Sequence, residues 1–331
     1  MSAAIRIGFA EAIARTEAVL RDAGAGAVAA RSVARALVTA EADGHGGHGL
    51  VRLASYAAQL RAGKVDGAAV PTLSVTRPGV CRVDAGHGFA YPALDCAVDW
   101  LIAHAPAQGI AAAGVFRSGH CGAMGLIVER LARAGMVGLM VANTPAAMAP
   151  WGGRRALFGT NPIACAFPFG DHPVIIDLSL SKVARGQILA AKRRAEPIPL
   201  GWALGPDGEP TTDPAQALAG TMVPLGDAKG AALALMVEAM AAGLTGANFA
   251  GEASSFLDAN GGPPSTGQML IAIDPAACGG GIGHLATLFQ DVADEPAARL
   301  PGLSRFAHRR RAKDEGMEID PGWFATGIDG G

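Results

Sequence analysis

Two histidines, His45 and His48, stand among four glycines in EADGHGGHGL, residues 41 to 50, with Glu41 and Asp43 just before them. Imidazole titrates near neutral pH, so such a pair can ligate a metal, join a phosphate loop, act as an acid or base, or simply close a helix. The metal reading is the weakest. H-x-x-H is not the H-x-x-x-H spacing that sets two imidazoles on one helix face, and the sequence nominates no third or fourth ligand. No metal is expected.

Other stretches could hold a ligand through their backbone. SGHCGAMG, residues 118 to 125, lies between a predicted strand and a predicted helix, with Gly119, Gly122 and Gly125 at period three. Glycines there let the chain approach a ligand, and the helix start offers free N–H groups, with His120 beside them. The plainer alternative is a turn whose histidine caps or packs. FGTNP (158 to 162) and DLSLS (177 to 181) present short hydroxyls at strand edges, which bind anions or serve ordinary turns. Two G-x-G-x-x-A patterns occur, at Gly24 to Ala29 and Gly281 to Ala286. The first falls between helices and the second has no βαβ unit after it, so both read as decoys and an ordinary Rossmann domain is disfavoured.

These stretches need elements to position them. Residues 8 to 42 have helical spacing broken at Asp22–Gly26, and a third helix follows over 50 to 65. Strands are predicted at 72 to 76 and 81 to 85, then a helix from Pro92 to about His104. Alternating strands (110 to 116, 137 to 143, 162 to 169, 173 to 181) and a helix over 122 to 134 follow. Helices over 183 to 193 and 229 to 245, a long loop over 251 to 268, a strand over 269 to 275 and a C-terminal helix with a polar tail complete the chain. The fold class is α/β with helices at both ends of a central sheet region.

Composition narrows the function. With 331 residues, half of them hydrophobic, the chain can bury one large or two smaller cores. A net charge of -2 gives no field for nucleic acid, and the basic run Arg309–Arg311 is short. No stretch of about 18 residues is free of charges or turn signals, so no membrane span is expected. The start carries Glu11, Arg15 and Glu17 where a signal peptide needs an apolar block, and the five cysteines are scattered with no C-x-x-C pair. The protein is read as cytoplasmic.

Together, GHGGHGLVRL, VDAGHGFAYPAL, SGHCGAMG, APWGG, FGTNPIA, IIDLSLSKVARG, IPLGWA, PTTDP and GDAKGAALALMVE run in order through most of the chain. In that order they resemble the malate/L-lactate dehydrogenase family that lacks a Rossmann fold. That family includes ureidoglycolate and sulfolactate dehydrogenases and the Δ1-piperideine-2-carboxylate/Δ1-pyrroline-2-carboxylate reductases. The resemblance implies an NAD- or NADP-dependent enzyme, NADPH slightly favoured, that is a homodimer acting on a small carboxylate. It implies a largely antiparallel sheet in the cofactor domain (71 to 185), an N-terminal helical part of the substrate domain (1 to 70), and a last region (186 to 331) completing both.

The resemblance also places roles. His48 falls on the proton donor or acceptor, Arg52 on the substrate-carboxylate arginine, Tyr56 on a tyrosine found in some members, and Thr160 on a substrate-contacting threonine. His120, Cys121, Gly122, Ala123 and Met124 match the cofactor loop. Asp177, Leu178, Ser179, Arg185, Gly186, Lys229, Arg299 and Arg305 match further cofactor contacts. The chemistry agrees: reduction of C=O or C=N by hydride needs a proton, which histidine supplies, and a 2-oxo or 2-imino acid needs its carboxylate fixed, which the arginine fork does. His45 is read as structural.

Two departures matter. Where the imine reductases carry a serine beside the histidine and an aspartate after the arginine–glycine pair, this chain has Gly47 and Gln187. Without that anion the imidazolium loses support, which favours a 2-oxo/2-hydroxy acid pair over a cyclic imine. The same departures motivate a third expectation, a cofactor binder without catalysis, against which His48, Arg52 and Thr160 speak.

Overall fold

The break at Asp22–Gly26 does separate two helices, and Gly24 turns the chain there with φ of 106°. The structure is a computed structural model that describes residues 4–325. The first half comprises β1 (Ile5–Ile7), α1 (Phe9–Asp22), α2 (Ala27–Ala42), α3 (Leu53–Arg61), β2 (Thr72–Arg77), β3 (Val80–Asp84), α4 (Ala90–Gln108), β4 (Ile110–Ser118), α5 (Gly125–Arg133) and β5 (Val137–Ala142). β6 (Ile163–Phe167), β7 (Val174–Leu178), α6 (Arg185–Arg194), β8 (Ala203–Leu204), β9 (Pro210–Thr211), α7 (Pro214–Ala219) and β10 (Thr221–Met222) follow. The chain ends with α8 (Ala228–Glu238), β11 (Thr266–Ile273), α9 (Gly281–Asp294), α10 (Leu303–Glu315) and β12 (Met317–Ile319).

Seven strands form the central sheet in the order β2-β3-β4-β11-β5-β6-β7. Only β3 and β4 are parallel, because α4 carries the chain back between them; every other neighbouring pair is antiparallel. The fold is thus α/β with a largely antiparallel central sheet. β11 comes late in the sequence yet fills the centre, with Leu270 opposite Ala113 on one side and Met140 on the other. Its Leu270 and Ala272 are fully buried, as a central strand covered on both faces requires.

α4 and α5 cover one face of the sheet and share a core with it, in which Leu94, Ala97 and Leu101 meet Ala113, Val115 and Leu270. α8 and the π-turn Ala239–Gly243 approach the other face over β11 and β5. The contact there is close: a Cβ on Gly267 would stand 1.9 Å from the Ala241 carbonyl. This is why the chain is rich in alanine and glycine, since helices laid this near a sheet leave no room for larger side chains.

A second core joins α1, α2 and α3 to the C-terminal part of the chain, where Ala312, Met317 and Ile319 pack with Leu20, Leu37 and Leu53. Up to residue 325 the polar C-terminal stretch is packed: α10 docks on α2, and β12 pairs with β1, Ile5 opposite Ile319. The three-stranded sheet of β8, β9 and β10 also lay below the sequence signal, its strands being two residues each. No helix among the described residues is long and apolar enough to cross a membrane.

The run Arg309–Arg311 has a structural use. Arg309 reaches Asp43 at 2.6 Å and Glu129 at 2.8 Å, tying α10 to the end of α2 and to α5. Both carboxylates are buried. Burial raises the Glu129 carboxyl, but the guanidinium beside it outweighs burial and holds it low. Arg309→Ala leaves buried Asp43 without its guanidinium and Glu129 held by Arg133 alone, so we expect a loss of about 3–5 kcal/mol in denaturant unfolding. A loss under about 1 kcal/mol would mean that the two carboxylates find other donors or water.

Candidate active site

Of the glycines around His48, Gly44 turns the chain and Gly49 is closely packed, while a Cβ on Gly47 would meet open space. The chain leaves α2 at Asp43, turns at Gly44 with φ of 82°, and makes two successive 3-10 turns, Gly46–His48 and Leu50–Arg52. Glu41 Oε2 accepts from the Leu50 N–H at 3.0 Å. A Cβ on Gly49 would fall 2.1 Å from that same oxygen, so glycine is required for the anchor to fit. His48 and Arg52 therefore lie on successive 3-10 turns and not on one face of an α-helix. α3 begins only at Leu53, and Arg52 folds back so that its Nε donates to the Gly47 carbonyl at 2.7 Å.

Three further segments meet this turn. The connection Gly119–Met124 after β4 brings His120 parallel to His48, with ring centroids 5.5 Å apart and planes at 13°. Tyr56, on α3, places its hydroxyl 2.5 Å from His120 Nδ1 and 2.9 Å from the Tyr91 hydroxyl at the start of α4. The long connection before β11 sets Phe256 with its ring 5.3 Å from that of His120. Lys64 fastens that connection: its fully buried Nζ donates to the carbonyls of Ser255 and Asn260 at 2.6 Å and of Asp258 at 3.1 Å. Gln59 donates to the Phe256 and Asp258 carbonyls. Phe256, Lys64 and Gln59 carry no local pattern that would single them out, and Tyr91 stands in VDAGHGFAYPAL with no role assigned.

The electrostatics are one-sided. Burial, then the Arg52 guanidinium and His45, lower His48 to about 4. Burial, Arg52 and His48 push His120 well below its ordinary value. Burial raises both tyrosine hydroxyls, so each stays protonated. The site thus has two neutral imidazoles next to a cation, which suits an anionic ligand. His45 faces elsewhere: burial and Arg305 lower it, and its neighbours are Asp177 and Asp43. Among the described residues no three His, Cys, Asp or Glu side chains gather as a metal set.

α5 starts at Gly125, five residues past His120, and its first N–H groups are taken: Gly125 donates to Asp177 Oδ2 at 2.7 Å, Leu126 to Ala123 and Ile127 to Met124. Gly122, with φ of 69°, makes room for Tyr91, whose hydroxyl would lie 2.6 Å from a Cβ there. Gly125 makes room for Arg305, whose Nη1 would lie 2.3 Å from a Cβ. Arg305 is 4% exposed, yet its Nε and Nη1 have no hydrogen-bond partner. A buried guanidinium in that state is costly, and an anion would relieve it, so these residues fit a phosphate-bearing cofactor.

Around this point the remaining candidates gather in part. Ile175 of β7 donates to Pro301, holding the 299 to 305 segment to the strand that carries Asp177 and Leu178. Leu180 donates to Thr160, and Leu225 to Leu180, which draws Ser179, Thr160 and the start of α8 with Lys229 toward one end of the sheet. Thr160 itself bonds Thr144 through its N–H at 2.9 Å. Arg185 and Gly186 open α6; burial lowers Arg185. Cys121, Ala123 and Met124 are buried, and burial pushes the Cys121 thiol up to about 12, which keeps it a thiol. Lys229 and Arg299 are exposed. The structure gives no direct contact between Thr160 and His48 or Arg52.

Known proteins resemble the chain along nearly its whole length. Residues 7–326 match the model of the malate/L-lactate dehydrogenase family. The chain is 49% identical to a (2R)-3-sulfolactate dehydrogenase (NADP(+)) of Chromohalobacter salexigens, over 96% of this chain and 95% of that protein. It is 39% identical to a Δ(1)-pyrroline-2-carboxylate reductase of Ancylobacter novellus, over 98% and 97%. Among solved structures it is similar to the Δ1-piperideine-2-carboxylate reductase of Pseudomonas syringae pvar. tomato, with a TM-score of 0.91, 35% identity and coverage of 96% and 97%.

Proposed function

Because the chain belongs to the malate/L-lactate dehydrogenase family, we propose that His48 is the acid/base of an NAD(P)-dependent oxidoreductase whose substrate carboxylate rests on Arg52. The reaction interconverts a small 2-oxo acid and its 2-hydroxy acid. The observation that carries the assignment of roles is the juxtaposition of half-buried His48 with a guanidinium whose Nε alone is tied back to the chain. Its Nη groups remain to grip a carboxylate with two parallel bonds. The nicotinamide cofactor, when bound, supplies or accepts the hydride. Arg305 and the His120–Met124 loop would hold it, with Asp177, Leu178, Ser179, Arg185, Gly186, Lys229 and Arg299 around them and Thr160 toward the substrate.

The substrate is read as a sulfolactate-like or malate-like hydroxy acid. The 49% relative acts on such an acid with NADP(+), and Gln187 stands where an imine reductase would have an aspartate. A cyclic imino acid is the second reading, favoured by the 39% relative and the TM-score of 0.91. The discriminating assay follows loss of nicotinamide absorbance with a panel of 2-oxo acids and cyclic imines, each with NADH and NADPH. Preference for an imine over every oxo acid by more than about tenfold in kcat/KM, roughly 1.4 kcal/mol, would reverse the order.

We also read the protein as a cytoplasmic homodimer. Its cysteines are all free, which suits a reducing compartment. The exposed Leu233, Leu235 and Met236 of α8, with Leu244 and Phe249 beyond it, are the kind of apolar surface a second copy covers. The three-part division at residues 70 and 185 finds support in the shared core of the N-terminal helices and the C-terminal segment.

A further inference from the structure

The chain contains two tyrosines, and their hydroxyls meet each other and one nitrogen of His120. Three polar groups in a row admit two directions of donation. If Tyr91 donates to Tyr56 and Tyr56 to His120 Nδ1, every O–H in the row is used. If His120 Nδ1–H donates to Tyr56 and Tyr56 to Tyr91, the Tyr91 O–H is left over. Tyr91 is 3% exposed, and Tyr56 is its sole hydrogen-bond partner among the described residues. A buried hydroxyl without an acceptor costs about 1–3 kcal/mol, so the first direction wins.

We propose that Tyr91 and Tyr56 hold His120 as the neutral Nε2–H tautomer, so that the ring beside His48 serves the substrate site as a hydrogen-bond donor and not as a second acid. The inference rests on the substrate reading above for the donor's target, but not for the tautomer. Several observations converge on it. The two tyrosines are buried and stay protonated, so neither can act as a phenolate acceptor that would pull the row the other way. A positive charge on His120 would need a donor at Nδ1, the atom that already accepts from Tyr56, and Arg52 opposes it further. Among the described residues the row ends at Tyr91, with no further donor behind it, so it does not resupply a proton. It orients. His48 has no such partner: its Nδ1 is buried and unpaired. The two parallel imidazoles therefore divide the work, one free to change protonation and one held in a single form. Gly122 belongs to the device, since any Cβ there would displace the Tyr91 hydroxyl.

The test is nitrogen-15 NMR of the full chain labelled at histidine, with His120 assigned by its absence in His120→Asn. At neutral pH its Nδ1 should resonate as an unprotonated acceptor and its Nε2 as a protonated nitrogen. Tyr56→Phe should give a mixture of tautomers and lower turnover about 10-fold. Tyr91→Phe should leave the tautomer in place, because Tyr56 still has only Nδ1 to donate to. An Nδ1–H tautomer or an imidazolium in the native protein overturns the inference, as does an unchanged His120 spectrum in Tyr56→Phe. The native spectrum decides even if that variant fails to fold. Absence of turnover across the substrate panel would instead strike the functional reading and leave the tautomer result standing.

Discussion

His48→Ala is expected to lower turnover about 10²–10⁴-fold in both directions, the range for a positioned acid/base, while cofactor affinity stays unchanged. The side chain that is removed holds up no other element: its Nδ1 has no partner, and its 3-10 turn is fixed by Glu41 and Leu50. Loss of rate should therefore not be loss of fold. The pH dependence gives a sharper reading. Burial, Arg52 and His45 lower His48 to about 4 in the free protein, so at neutral pH it is a ready base for hydroxy acid oxidation. As an acid it must first be protonated, so kcat/KM for reduction should fall as pH rises above this low value. A bound substrate carboxylate offsets the Arg52 charge and favours the imidazolium. The limb in kcat, which reports the complex, should then lie at higher pH than the limb in kcat/KM, which reports the free enzyme. Near-native turnover in His48→Ala would move the proton donor elsewhere.

Arg52→Ala should lower kcat/KM by about 10²–10³-fold, since removing one partner of a desolvated charge pair costs several kcal/mol. Arg52→Lys keeps the charge but not the planar fork, so a smaller loss confined mainly to KM is expected. Both should leave cofactor affinity near native, as measured by nicotinamide fluorescence titration. The alanine variant carries a second signature. Without the guanidinium, one of the causes that lower His48 disappears, and the kcat/KM limb for reduction should move to higher pH. Equal losses of cofactor and substrate affinity with an unmoved pH limb would make Arg52 a strut for the Gly47 carbonyl and nothing more.

Much of this was readable without coordinates, for physical reasons. The helices of residues 8 to 42 and the strands of the sheet announce themselves because each buries one face or both, and burial writes a period into the chain. β11 was legible as an apolar run, but its place between β4 and β5 was not, because pairing partners leave no mark on a strand covered on both faces. The two-residue strands β8 to β10 and the pair β1–β12 are too short to carry a period at all.

The site divides the same way. That His48, Arg52, His120, Thr160 and Arg305 are chemically able residues in suggestive surroundings is a property of residue type and order, and the sequence by itself determined that. It also determined where glycine would stand, but not why. The glycines of SGHCGAMG suggest space for a ligand; in the structure Gly122 yields to Tyr91 and Gly125 to Arg305, and in EADGHGGHGL Gly49 yields to Glu41 while Gly47 stays open. Only the tertiary structure decided which partners meet: Tyr56 with Tyr91 and His120 across 35 and 64 residues, Lys64 with carbonyls some 190 residues on, Asp177 with the start of α5. The reason is that a hydrogen bond or a shifted proton affinity depends on distance and burial at a point in space, and the chain reaches that point from segments whose local sequences carry no record of one another.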